Sequence, residues 1–128
     1  MSHYHAVVWL DHAEARVFHF TPDAVERAHA HTAEAKPHLH HKRGSVGAGH
    51  LAEDRTYLDS VVRLLDGARE ILVVGPGNAK LAFIKHVHRH HHEVEPRIVG
   101  VETVDHPSDG QLVDYARRYF VAKDRMIG

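Results

Sequence analysis

The segment His86-Val87-His88-Arg89-His90-His91-His92 holds the densest run of metal-ligand side chains in the chain. Neutral imidazole is a good ligand for zinc and other late transition metals. On a helix, residues four apart share a face, so His86 with His90, and His88 with His92, form two chelating pairs. The apolar pattern of this helix turns His88 and His91 toward the buried stripe and His86 and His90 away from it. The pairs are thereby split around the helix, and Glu93 and Glu95 fall at its end, where neither completes a site. The run reads as an exposed histidine-rich helix end, whose protonated rings suit the negative end of the helix dipole. No bound metal or other cofactor is expected.

A second group of chemistry-bearing residues is basic. Lys36, Lys42 and Arg43 interleave with His38, His40, His41 and His50, and Gly44, Gly47 and Gly49 punctuate them. Cationic side chains make salt-dependent contacts with phosphate, and glycine lets a backbone approach closely. This pattern points to a polyanion-binding loop. Lys80 is an accessory candidate. It closes Gly75-Pro76-Gly77-Asn78-Ala79-Lys80, where backbone N–H groups at a helix start can hold an anion. That segment lacks the Walker spacing, and Lys80 stands where a dinucleotide-binding turn needs glycine. Formal net charge is −1, but the chain has 16 histidines. At an ordinary histidine pKa of ~6.5, roughly three quarters would be charged at pH 6, giving a net charge of roughly +11. Mild acid would therefore strengthen binding to a polyanion.

Carboxylates offer a different chemistry. Asp11 and Asp105 sit at strand ends, with Glu53 and Asp54 at the start of a helix, and such groups can hold divalent ions for phosphodiester hydrolysis. Asp11 also suits a hairpin turn, and Asp105 before His106-Pro107 suits the start of a loop. With no cysteine, thiolate nucleophiles, disulfides and cysteine–zinc sites are excluded.

These groups must be positioned by a framework, and 128 residues suit one domain, residues 1–128. Tyr4–Leu10 and Glu14–Phe20 are apolar, β-branched runs joined by Asp11-His12-Ala13, the pattern of an antiparallel hairpin. Val25–His31 is a weaker third strand. Thr32–His50 is the basic, glycine-rich loop. A stripe of Leu51, Leu58, Val61, Val62 and Leu65 marks a helix over Leu51–Leu65. Glu70–Val74 and Arg97–Val104 are buried-type strands. Between them a helix runs over Asn78–His92, with Leu81, Ile84 and Val87 on its apolar face. Ser108 and Gln111 have capping-box spacing before a last helix with Leu112, Tyr115, Ala116 and Tyr119 inward. Val121–Gly128 reads as a frayed tail. The order predicts an α/β fold: a mixed five-stranded sheet, an antiparallel meander followed by αβ units, ribonuclease H-like, with packed helices.

Two stretches carry a family resemblance. Ile71-Leu72-Val73-Val74-Gly75-Pro76-Gly77-Asn78-Ala79-Lys80 is similar to the strand–Gly-Pro-Gly-x-x-Lys–helix segment in the middle domain of class-1 peptide-chain release factors and Pelota. Ile98–Asp105, followed by Gly110-Gln111-Leu112, resembles that domain's next strand and the start of its final helix. Small bacterial proteins labelled as translational machinery proteins look similar throughout. In release factors, the loop after the third strand carries a Gly-Gly-Gln tripeptide. The resemblance places that loop at about His38–His50, which has no glutamine; the only one in the chain is Gln111. Peptide release needs donors at the developing oxyanion and an oriented water, so that activity does not carry over. Pelota-type proteins also lack the tripeptide and rescue stalled ribosomes by binding, with the help of further domains.

The resemblance and the basic loop together imply a cytoplasmic domain that binds the ribosome or structured RNA rather than catalysing a reaction. The contact residues would be Lys36, Lys42, Arg43, Gly44, Gly47, Gly49, His50 and Lys80. A metal-dependent nuclease, a diverged peptidyl-tRNA hydrolase and a histidine-rich metal-binding module are the alternatives. No apolar run approaches the ~18 residues of a membrane span. The sequence sets no oligomeric state.

Overall fold

The hydrophobic runs pair into one sheet. In the computed structural model, which describes residues 5–32 and 46–127, β1 (His5–Leu10), β2 (Glu14–Phe20), β3 (Val25–His31), β4 (Glu70–Gly75) and β5 (Ile98–Thr103) lie in the order β3-β2-β1-β4-β5. β1 pairs antiparallel with β2 and parallel with β4, and β4 pairs parallel with β5. β2 and β3 are antiparallel. The expected mixed five-stranded sheet is therefore present, with its meander on one side and its αβ units on the other.

β1 and β4 lie inside the sheet, and nearly every side chain on them is buried. Alternate residues feed two cores, as the twofold period of a strand requires. Ala6, Val8, Leu10, Ile71 and Val73 meet Tyr57, Leu58, Val61 and Val62 of α1 (Val46–Leu64) and Ala79, Phe83 and Val87 of α2 (Ala79–His90). Val7, Trp9, Leu72 and Val74 face the other way, onto Leu112, Val113, Ala116 and Phe120 of α3 (Asp109–Ile127). The result is three layers, with α1 and α2 on one side of the sheet and α3 on the other.

Gly75 ends β4 because the backbones of β1 and β4 converge there. A Cβ at this position would collide with the Leu10 carbonyl oxygen, so the glycine serves close strand packing. The capping box forms as expected. Ser108 N–H donates to Gln111 Oε1 at 2.9 Å, and Gln111 N–H donates to Ser108 Oγ at 3.2 Å.

Two boundaries and the buried face of α3 differ from expectation. α1 begins at Val46 rather than Leu51, so Gly47, Gly49 and His50 belong to a helix, not to the loop. The two glycines masked this, since glycine lowers helix propensity without forbidding it. α3 continues to Ile127 through the stretch expected to fray; Phe120, within that helix and buried against Val7 and Phe20, anchors it there. In α3 the buried residues are Leu112, Val113, Ala116 and Phe120, while Tyr115 is exposed at 36%. Its hydroxyl donates to Glu102, so the tyrosine leans over the sheet edge instead of entering the core.

Candidate functional site

α2 is rotated relative to its expected setting. Its buried positions are Ala79, Lys80, Phe83, His86 and Val87, whereas Leu81 is 53% exposed. Polar residues occupy two of the core-facing positions, and each is satisfied by a local partner. Lys80 is 7% exposed, and its ammonium donates to the Gly77 carbonyl at 2.6 Å. The lysine thus closes the turn that precedes α2, and its charge is spent on the backbone rather than held out toward solvent.

His86 is the other buried polar residue, contrary to its expected outward setting. Its Nε2 lies 2.6 Å from Asp59 Oδ1, and His91 Nε2 lies 2.9 Å from the same oxygen. Side-chain exposure falls steeply across the trio: 44% at Asp59, 23% at His91 and 5% at His86. The hydrogen bond from His91, with a smaller one from His86, holds the Asp59 carboxyl below its ordinary pKa, against the opposing effect of burial. A carboxylate that accepts two bonds is favoured in its charged form.

The pairing of His86 with His91 spans five residues, which a continuous helix would splay apart. It closes because α2 ends at His90. His91 is the cap residue, with φ −138° and ψ 63°, and its N–H still bonds to the Val87 carbonyl. The backbone turns out of the helix there and swings the His91 ring back beside His86. Asp59, on α1, is the acid that the sequence pattern did not supply. A five-residue spacing across a helix terminus was the one available signal for the pair. Nothing in the sequence placed Asp59 opposite it.

The other histidines of the run separate. His88 is exposed and pairs with Glu95, Nδ1 to Oε2 at 2.9 Å, and its ring stacks on His92 with centroids 6.0 Å apart. This corrects the expectation that His88 faces inward. His90 is exposed on the surface, with its ring centroid 4.9 Å from that of His86. The i,i+4 pairs are thus ring neighbours, but no carboxylate joins either pair as Asp59 joins His86 and His91.

Asp11 and Asp105 serve local structure. Asp11 Oδ1 accepts the N–H groups of Ala13 and Glu14, both at 2.9 Å, inside the β1–β2 turn. Asp105 accepts the Trp9 indole N–H through its backbone carbonyl, and its carboxylate is 93% exposed beside His106. Among the described residues, these two aspartates belong to no converging group of metal-ligand atoms. Glu53 and Asp54 lie within α1.

Of the basic group, Gly47, Gly49 and His50 sit in the first turns of α1. Lys36, His38, His40, His41, Lys42, Arg43 and Gly44 lie outside the described residues. The segment that carries them joins β3 to the N-terminus of α1, the end of a helix that favours anions.

No family model and no curated protein matches the chain by sequence. Solved structures do match. Pelota from Archaeoglobus fulgidus superposes with a TM-score of 0.64 at 15% identity, over 94% of this chain and 32% of that one. Pelota from Thermoplasma acidophilum gives 0.63 at 17% identity, over 88% of this chain and 31% of that one. The chain has the fold of a Pelota domain. The archaeal translation termination factor aRF1 follows with a TM-score of 0.56 at 11% identity, over 83% of this chain and 31% of that one. The chain thus spans about a third of the length of each protein it matches. What it shares with them is the arrangement of sheet and helices.

Proposed function

We propose that this chain is an RNA- or ribosome-associated domain that acts by binding. The reading rests on one juxtaposition. A fold shared with Pelota and an archaeal translation termination factor carries its most basic segment directly into the N-terminus of its longest sheet-packed connection, α1. Lys36, Lys42 and Arg43 supply permanent positive charge, and the free N–H groups at the helix start add a partial one. Gly44, Gly47, Gly49 and His50 are the further contact residues of this reading, since glycine lets a phosphate backbone approach closely. Lys80 takes no part in this surface, since its ammonium is bonded within its own turn.

A nuclease reading finds no matching support. Asp11 is committed to a turn, and Asp105 points into solvent away from any partner carboxylate among the described residues. Release chemistry lacks its glutamine.

The test is co-sedimentation with ribosomes across a salt series at pH 6.5 and 7.5. Association is expected at low salt, falling steeply as salt rises, because each phosphate contact releases counterions. The double variant Lys42→Glu, Arg43→Glu should lose it and flatten the salt slope. No association at low salt and pH 6.5 would overturn the reading.

A further inference from the structure

We propose that Asp59, His86 and His91 form a binding site for a divalent transition-metal ion, with zinc as the best fit. Two imidazole nitrogens and one carboxylate oxygen are a donor set suited to zinc, cobalt or nickel rather than to calcium or magnesium. All three donor atoms lie within 4.8 Å of one another, and both nitrogens converge on a single Asp59 oxygen at 2.6 and 2.9 Å. Ligands of a tetrahedral zinc, at ~2.05 Å from the ion, stand about 3.3 Å apart. The two nitrogen–oxygen distances, 2.6 and 2.9 Å, therefore fall short of that edge by about 0.7 and 0.4 Å. The group that must give way is the half-exposed Asp59 carboxylate, while His86 is held by the core.

Two further features bear on the ion. His91 Nδ1 lies 3.9 Å from Glu93 Oε2. When Nε2 binds a metal, the proton of a neutral imidazole sits on Nδ1; Glu93 is beyond hydrogen-bond distance here and would have to close in to orient the ring. The site is graded in exposure: His86 is buried, His91 is partly covered and Asp59 reaches solvent, so a fourth ligand would be a water from the Asp59 side. Three protein ligands with one open position is the pattern of zinc sites that keep a reactive or exchangeable corner. Arg55, which acts on His90, and Arg63 and Arg97, which share a pocket with His91 and Glu93, are cations that oppose binding. A second converging trio, His5, Glu70 and Asp124, has a single imidazole, 3.4 Å from its carboxylate, and is the poorer donor set.

The ion would clasp α1 to the end of α2. This is a different site from the segment proposed to contact RNA, and it stands or falls separately from that reading.

The experiment is calorimetric titration of zinc chloride into the full chain, free of any affinity tag, at pH 7.5. One tight equivalent is expected, together with a zinc-dependent rise in Tm. Asp59→Asn and His91→Ala should each weaken that equivalent by at least about tenfold and abolish the Tm rise, with circular dichroism confirming that both variants fold. The double variant His88→Ala, His92→Ala should leave it unchanged. Substituting cobalt should produce the intense visible absorption of a four-coordinate ion in the wild type and lose it in Asp59→Asn. Weak uptake at many histidines without a distinct first equivalent would overturn the proposal. So would a first equivalent that survives Asp59→Asn and His91→Ala, or that disappears with His88 and His92.

Discussion

The two faces of the sheet are tied down by different chemistry. On the α3 face arginine makes several of the long-range polar contacts, beside those of Trp9, Tyr115 and Tyr119. Arg16 donates to the Pro107 carbonyl and to Asp109 Oδ1 at 2.8 Å, and its guanidinium lies 4.6 Å above the Trp9 ring. Arg27 pairs with the other Asp109 oxygen. On the α1/α2 face histidine makes several of the corresponding links, beside those of Tyr57 and Arg97. His86 and His91 bind Asp59, and the His19 Nε2–H donates to the Leu64 carbonyl at 2.7 Å, capping the end of α1. Guanidinium presents a rigid fork of donors to a carboxylate, whereas imidazole offers two distinct ring nitrogens. The two faces are thus held in part by different polar groups.

The largest effect should be the same on both faces. Phe83 is completely buried under α2, and Phe120 is 2% exposed under α3. Truncating either to alanine should cost about 3–5 kcal/mol, measured by urea denaturation. A much smaller loss at Phe83 would mean that the histidine-tied face carries little of the stability, and the comparison would need redrawing. A smaller loss is expected at the α3 entry. Ser108→Ala removes an N-cap and should cost about 1 kcal/mol, with no dependence on added zinc. The smallest effect is the acid limb. Asp59 and Asp109 both have pKa values below the ordinary 3.8, Asp109 chiefly through its bond from Arg16. A carboxylate depressed in the folded state contributes stability that is fully present above its unfolded pKa and is lost as pH falls through its folded value. Thermal melts from pH 5 down to pH 2 should therefore decline below about pH 4, and Asp59→Asn and Asp109→Asn should each make that decline shallower. A variant that leaves the slope unchanged would remove its aspartate from the comparison.

Much of the framework was legible in the residues. Apolar runs marked β1 and β4, because strands buried on both faces need unbroken hydrophobicity; the run at Ile98–Thr103 also read as a buried strand, but β5 lies at the sheet edge with its residues only partly buried or exposed. The Ser108–Gln111 spacing located the start of α3 because a cap is a local interaction. The phase of α2 was not legible. Leu81 and Ile84 suggested one stripe, but Lys80 and His86 occupy buried positions whose partners, the Gly77 carbonyl and Asp59, appear only in three dimensions. The Asp59–His86–His91 cluster was missed for the same reason. Its acid lies on another helix, and its second histidine reaches the site only because α2 ends one residue earlier. The start of α1 was hidden by Gly47 and Gly49, which a helix-forming pattern would normally avoid.

β3 has a further consequence, for how copies of the chain meet one another. It is the outer strand on the meander side of the sheet, and it is exposed along most of its length. An outer strand offers a row of unpaired backbone groups to any other strand that arrives. Here that row runs through Glu26, Arg27, His29 and His31, with only Ala30 buried. A second copy docking along it would have to strip water from these side chains and disturb the bond between Arg27 and Asp109. The weak hydrophobic pattern that made β3 the least obvious strand in the sequence is therefore also what keeps this edge mostly polar among the described residues, with Val25 its exposed apolar exception.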